Sequence, residues 1–226
     1  MKAMILAAGK GERMRPLTET TPKPLLPVGG KPLIQYHVEN LVAAGFRELV
    51  VNVSWLGEQI VDFLEARDWG CDIAISAEQE PLETAGGIIR ALPLLGAGPF
   101  ALVNGDVWCD FDLPRLRTLA GIAAGHGHLV LVDNPPHHAS GDFYLDDHGR
   151  VHRQAPPGQA RVTYAGIAVF DSAFFTGYPD GGRPLLPLLE AAIAEGRLAG
   201  EHHPGHWEDV GTPERLRLLD ERLSIH

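Results

Sequence analysis

Apolar residues follow two rhythms along this chain. Residues 3–8 (AMILAA), 48–53 (ELVVNV), 72–78 (DIAISAE), 100–106 (FALVNGD) and 128–133 (HLVLVD) are short apolar runs bounded by polar or glycine positions. Runs of that length and bounding predict buried strands. Between them, residues 32–45 (PLIQYHVENLVAAG), 57–67 (GEQIVDFLEAR) and 84–95 (TAGGIIRALPLL) repeat apolar side chains at three- and four-residue spacing, which predicts helices. Strands alternating with helices define an α/β protein with a doubly wound, mostly parallel, Rossmann-like sheet.

After residue 134 the texture changes. Residues 141–153 (GDFYLDDHGRVHR) alternate around a DDHG turn and predict a β-hairpin, and 162–171 (VTYAGIAVFD) a further strand. Residues 184–196 predict a helix stopped by glycine. Residues 198–211 predict two short strands about a Pro-Gly turn, and 212–223 a closing helix capped by Thr212. No repeat, low-complexity tract or linker interrupts the chain. The simplest organisation is one domain over 1–226, with halves at 1–134 and 135–226, the second carrying a small hairpin-containing lobe.

The length of 226 residues suffices for one substantial core. The first apolar run, about six residues, is shorter than a signal-peptide core, and none of the runs approaches the ~20 residues of a membrane span. No membrane partner is expected. Cys71 and Cys109 form neither a disulfide framework nor a metal-ligand spacing, as expected of a cytoplasmic protein. A net charge of −10 argues against nucleic acid but leaves room for a small anion in a locally basic cleft. His202, His203 and His206 near Glu208, and the pair His137-His138, match no zinc motif and read as loop or strand residues.

The chemistry concentrates in residues 4–33, MILAAGKGERMRPLTETTPKPLLPVGGKPL. The turn Gly9-Lys10-Gly11-Glu12-Arg13-Met14 lacks the third glycine of a dinucleotide fingerprint, and no acidic residue follows at the distance a dehydrogenase needs. Gly30-Lys31 is followed by Pro32, so there is no Walker A loop. What remains is a strand end with glycines, whose exposed N–H groups form an anion-binding concavity, beside Arg13 and Lys23.

"LAAGKGERMRPLT" with "PKPLLPVGGKPLI" resembles the signature of sugar-1-phosphate nucleotidyltransferases. The resemblance continues through "EQEPLETAGG", "VNGD", "TYAGI" and "HWEDVGT", in the family's order and at similar spacing. It implies the nucleotidyltransferase fold. It also implies a reaction in which a sugar 1-phosphate oxygen attacks the α-phosphorus of a nucleoside triphosphate, releasing pyrophosphate. Such chemistry needs cations and aimed N–H donors rather than a protein nucleophile.

By the resemblance, residues 1–134 bind nucleotide through Leu6, Ala7, Ala8, Gly9, Gly11, Glu12, Arg13, Lys23, Glu78, Thr84 and Asn104. Arg13 and Lys23 are the catalytic cations, and Asp106 and Asp209 the pair that holds Mg²⁺. Residues 135–226 take the acceptor through Gly141, Asp142, Arg153, Tyr164 and Arg183. Glu78 stands where many relatives carry glutamine; its carboxylate accepts from uracil N3–H or guanine N1–H, so both bases stay open.

The chain departs from the family pattern in three places. The lysine that grips the acceptor phosphate in many relatives is absent from GRVHRQAPPGQAR (149–161), leaving Arg153 or Arg161 for that task. Tyr164 replaces an asparagine common before the glycine strand. No hexapeptide-repeat β-helix tail is present, so acetyl transfer is not expected. "EPLET", "VNGDVW", "VDNPPHH" and "GHWEDVGT" most resemble short members that take UTP and a sugar 1-phosphate bearing a lactyl carboxylate. With no sustained coiled-coil heptad or repeat, a monomer or weak oligomer is expected. The rivals are a guanylyl-, thymidylyl- or cytidylyltransferase, and a catalytically silent nucleotide-sugar sensor.

Overall fold

The computed structural model describes residues 1–224. Seven strands form one sheet: β1 (Lys2–Leu6), β2 (Glu48–Val53), β3 (Asp72–Ala77), β4 (Pro99–Asn104), β5 (Gly127–Val132), β6 (Thr163–Asp171) and β7 (Leu198–His203). Their order is β7-β5-β6-β4-β1-β2-β3. Strand β6 is antiparallel to both neighbours, whereas the pairs β1–β2, β2–β3, β1–β4 and β5–β7 are parallel. The expected mostly parallel, doubly wound sheet is therefore present, and it draws strands from both halves of the chain.

Side-chain alternation on the central strands explains the layers. Ala3 and Ile5 of β1, with Ala101 and Val103 of β4, face one core, with Ile34, Val38 and Leu41 of helix α1 (Leu33–Ala43) and Ile60 and Leu64 of α2 (Gly57–Glu65). Met4, Phe100 and Leu102 face the other, against Ala85, Ile88 and Ala91 of α3 (Glu83–Leu95) and Leu188 and Ala192 of α4 (Leu186–Ala194). Period-2 strands thus feed both faces at once, as a sheet covered by helices on both sides requires.

The expected hairpin is a short antiparallel pair, Tyr144–Leu145 with Val151–His152. The two strands expected about the Pro-Gly turn do not pair with each other. Strand β7 joins the main sheet beside β5, while Trp207–Asp209 pairs antiparallel with Val107–Cys109. The partner strand Val107–Cys109 was not visible in the sequence, because three residues carry no period. Helix α5 (Pro213–Leu223) closes the chain, with Thr212 Oγ1 accepting from Arg215 N at 3.3 Å as its N-cap. A third apolar cluster joins Met14, Leu26, Val28 and Leu33 to Val210 and Leu219, tying the opening loop to the closing helix.

Order reverses between β1 and β4, so the connections that leave their C-terminal ends part and open a crevice, the usual ligand position in open α/β sheets. Gly105 permits the close approach beneath it: its N–H donates to Leu6 O at 2.8 Å, and a Cβ would stand 2.5 Å from that oxygen. At the opposite end of the sheet, where Phe100 lies beside Lys2, the fully buried Phe170 packs with Phe100, Phe174 and Phe175. Phe170→Ala should lower unfolding free energy by about 3–5 kcal/mol, measured by urea denaturation.

Candidate active site

The crevice is a cavity of about 510 Å³. Leu6, Ala7, Ala8, Gly9, Gly11, Glu12, Arg13, Lys23, Glu78, Thr84, Asn104 and Asp106 all line it, so the expected nucleotide residues converge in space. Asp209, Gly141, Asp142, Arg153, Tyr164 and Arg183 do not line it.

The loop after β1 is shaped by two constraints. Asn52 Oδ1 accepts from Ala7 N at 2.8 Å, turning the chain as it leaves the sheet. Gly11 sits at φ +63° with its carbonyl accepting from Thr18 Oγ1 at 2.8 Å, and a Cβ there would stand 2.8 Å from Thr18 Cγ2. Only glycine meets both the left-handed backbone and the tight space. Arg13 and Lys10 are exposed at the rim. Lys23 is 8% exposed, and its Nζ lies 2.6 Å from Asp106 Oδ2.

Glu78 is buried: Oε1 accepts from Asn52 Nδ2 at 2.7 Å, and Oε2 from Leu82 N at 2.9 Å. Both oxygens thus hold the turn leading into α3. Gly87 makes room, since a Cβ would stand 2.7 Å from Glu78 Oε1 and 2.8 Å from Asn52 Nδ2. Gly86 does the same on the opposite side, where Gly181 O would lie 2.4 Å from its Cβ. Glu83 begins α3 at φ +59°, a strained conformation for a non-glycine residue, on the cavity wall.

Asp106 O accepts from Val210 N at 2.8 Å, and Asp209 pairs across the short ladder with Val107. The two aspartates, far apart in sequence, thus stand within one residue of register, Asp209 at the end of its strand and Asp106 in the turn just before Val107–Cys109. Asp209 Oδ1 takes Arg215 Nη1 at 2.6 Å and His137 Nε2 at 2.8 Å.

A family model described as nucleotidyl transferase matches residues 2–223. The chain belongs to the nucleotidyl transferase family. It is 48% identical over 222 residues to the N-acetylmuramate alpha-1-phosphate uridylyltransferase of Neisseria meningitidis serogroup B, covering 96% of each chain. It is 35% identical to the protein of the same name from Caulobacter vibrioides, covering 98% of this chain and 96% of that one. A Bacillus anthracis crystal structure with a bound sucrose shares the fold, with a TM-score of 0.85 at 19% identity over 99% of this chain and 95% of that one.

Nucleotidyl transferases generally use a divalent metal, and the donor set fits one. Each aspartate has its ion pairs on a single oxygen, Oδ2 of Asp106 and Oδ1 of Asp209. A hard divalent cation takes one or two carboxylates and completes its shell with phosphate oxygens and water.

The acceptor candidates of this nucleotidyl transferase divide. Asp142 Oδ2 accepts from Tyr164 N at 2.9 Å and Oδ1 lies 2.9 Å from His138 Nε2, while Arg153 Nη1 donates to Asp142 O at 2.6 Å. Gly141, at φ +58°, packs on the Arg161 backbone. These four form one cluster. Arg183 lies elsewhere: its carbonyl accepts from Ala85 N and Gly86 N at the start of α3, at 3.0 and 3.1 Å. Its Nε, like Tyr164 Oη and Asn104 Oδ1, is buried without a hydrogen-bond partner.

Sequence reasoning missed Asn52, which joins Ala7 to Glu78; its signal was a lone amide within a buried apolar strand. It also missed His37, buried on α1 behind the Asp106 turn. Burial pushes the His37 ring down to about 4, against the pull of Asp106 and the Gly105 and Val107 backbone.

Asn52→Ala strands the Ala7 N–H and a Glu78 oxygen, and should cost about 1–3 kcal/mol in urea unfolding. The unfolded chain protonates His37 near its ordinary 6.5, the folded chain only near 4. The neutral ring therefore contributes fully above pH 6.5 and is lost as pH falls toward 4, by about 3 kcal/mol at most. In metal-free urea melts, His37→Gln should flatten the wild-type decline between pH 6.5 and 4; an unchanged slope would contradict this.

Proposed function

We propose that this chain transfers the uridylyl group of UTP to N-acetylmuramic acid α-1-phosphate, giving the UDP-sugar and pyrophosphate in peptidoglycan sugar recycling. The observation that carries this reading is the 48% identity, over nearly the whole of both chains, to a protein of that activity. In it the enzyme works in the cytoplasm as a monomer or weak oligomer, without nucleic acid or membrane partners. Among the described residues no helix is long and apolar enough to cross a membrane.

The loop N–H groups after β1 and Arg13 bind the β- and γ-phosphates, and Lys23 reaches the reacting phosphates from its pair with Asp106. Thr84, Asn104 and the Glu78 turn hold the nucleoside. The cluster of Gly141, Asp142, Arg153 and Tyr164 orients the acceptor, and Arg183 meets an anionic group of it. Mg²⁺, held by Asp106 and Asp209, supplies charge to offset that building on the phosphates. The sugar phosphate oxygen forms the new bond to the α-phosphorus as the bond to the β-phosphate oxygen breaks, and no protein proton transfer is needed. Alignment of the two anions and electrostatic stabilisation supply the rate.

Pyrophosphate release with Mg²⁺, across UTP, GTP, dTTP and CTP and across muramic, glucosamine, glucose and mannose 1-phosphates, tests the assignment. Selective turnover of UTP with the muramic acid phosphate is expected. Preference for GTP with mannose 1-phosphate would transfer the assignment to guanylyl transfer. Silence with retained nucleotide binding would favour a sensor. Arg13 is exposed, so Arg13→Ala should leave the fold intact and lower turnover by roughly 10²-fold, read in the same assay.

A further inference from the structure

The strand pair Val107–Cys109 and Trp207–Asp209 presents Asp106 and Asp209 at one end. At its other end three side chains of metal-binding type converge. Cys109 Sγ, an Asp110 carboxylate oxygen and a His203 ring nitrogen all lie within 4.8 Å of one another. They belong to two segments 93 residues apart, which is why no sequence spacing signals them.

Backbone contacts hold the segments in place. Cys109 pairs with Trp207, Asp110 N donates to His206 O at 3.1 Å, and His206 N donates to Asp110 Oδ1 at 2.8 Å. His203 Nε2 lies 2.7 Å from the same Oδ1, and its ring meets Phe111 edge-on at 5.4 Å between centroids. Glycine at 205 keeps the space clear: a Cβ there would stand 2.4 Å from Asp110 Oδ1 and 2.5 Å from His203 Nε2.

We propose that Cys109, Asp110 and His203 bind a thiophilic divalent cation of the zinc class, with water completing a tetrahedral shell. Thiolate and imidazole donors select zinc over magnesium or calcium, which take oxygen ligands. Bonds of about 2.0–2.3 Å set tetrahedral ligand atoms roughly 3.3–3.8 Å apart, inside the observed spacing. Both Asp110 hydrogen bonds fall on Oδ1, so the carboxylate turns Oδ2 toward the ion as His203 exchanges its hydrogen bond for a metal bond. The thiol releases its proton to solvent on coordination. Bound there, the ion cross-links the segment that follows Asp106 to the one that precedes Asp209, bracing the backbone that presents both.

The test titrates the full-length, EDTA-stripped protein with Co²⁺ in the absence of nucleotide. A thiolate-to-cobalt charge-transfer band saturating near one equivalent is expected, displaced by Zn²⁺ and retained in excess Mg²⁺. An ion at Asp106 and Asp209 has no sulfur ligand and gives no such band. Cys71→Ser should keep the band and Cys109→Ser abolish it, with circular dichroism showing both variants folded. His203→Gln should weaken cobalt affinity by more than about tenfold. Absence of the band in the wild type, its survival in Cys109→Ser, or unchanged affinity in His203→Gln would overturn the proposal.

Discussion

Lys23 and Asp106 stand 83 residues apart in sequence and 2.6 Å apart in space, and the site is arranged around that contact. The lysine side chain is 10% exposed, a depth at which an unpaired ammonium is costly, while Asp106 keeps 40% of its side chain open. The pair therefore fixes the lysine without closing off the carboxylate. To bring them together, the turn Lys23–Leu25 has to lie across the ends of β1 and β4. Removing Asp106 leaves the buried ammonium uncompensated, typically at about 3–5 kcal/mol, whereas removing Lys23 leaves a carboxylate that water still solvates. In the proposed reaction the triphosphate offers the same ammonium a second counter-anion, so the charge stays compensated as the contact changes hands.

The sheet supplies the rest of the geometry. Parallel β1 and β4 lie side by side, and Gly105 lets the end of one touch the end of the other. Asn52 on the next strand spans from the loop after β1 to Glu78 after β3, so three strand ends are joined by one amide and one carboxylate. The two glycines of the α3 start act by absence of bulk rather than by backbone freedom. One admits Glu78 and Asn52, the other the Gly181–Arg183 backbone.

Most of the fold was legible because its elements are long and periodic: ELVVNV is β2 without a residue's error, and the closing helix begins at the Thr212 cap that its sequence announces. Site residues carried by a contiguous motif, from Leu6 to Lys23, were legible too. What escaped depends on distant pairing. The strand Val107–Cys109 exists only because Trp207–Asp209 lies against it, and three residues have no pattern of their own. Arg183 reads as a cation in sequence, yet its backbone carbonyl receives the first N–H groups of α3. Arg153 likewise reads as free, but its Nε meets Glu190 at 2.8 Å. That pair is exposed and worth little, so it costs little to give up.

A chain with a net charge of −10 must still accept two phosphorylated substrates. The cavity resolves this locally. Of its four carboxylates, Glu78 is spent on Asn52 and Leu82 and Asp106 is paired with Lys23, while Glu12 and Glu83 stand at the wall with Lys10 and Arg13 opposite in sign. Cations and loop N–H groups thus dominate where β1 ends, within about a Debye length of the ligand, and the negative surface beyond that range is screened. Beside Asp106 the balance reverses, because the pairing of Trp207–Asp209 with Val107–Cys109 brings Asp209, itself outside the cavity lining, within one residue of register of Asp106. Like charges at that spacing repel unless a cation lies between them. Two aspartates one residue apart in register, each with one oxygen uncommitted to an ion pair, are therefore an obstacle to phosphate binding on their own and an asset once a divalent ion is shared.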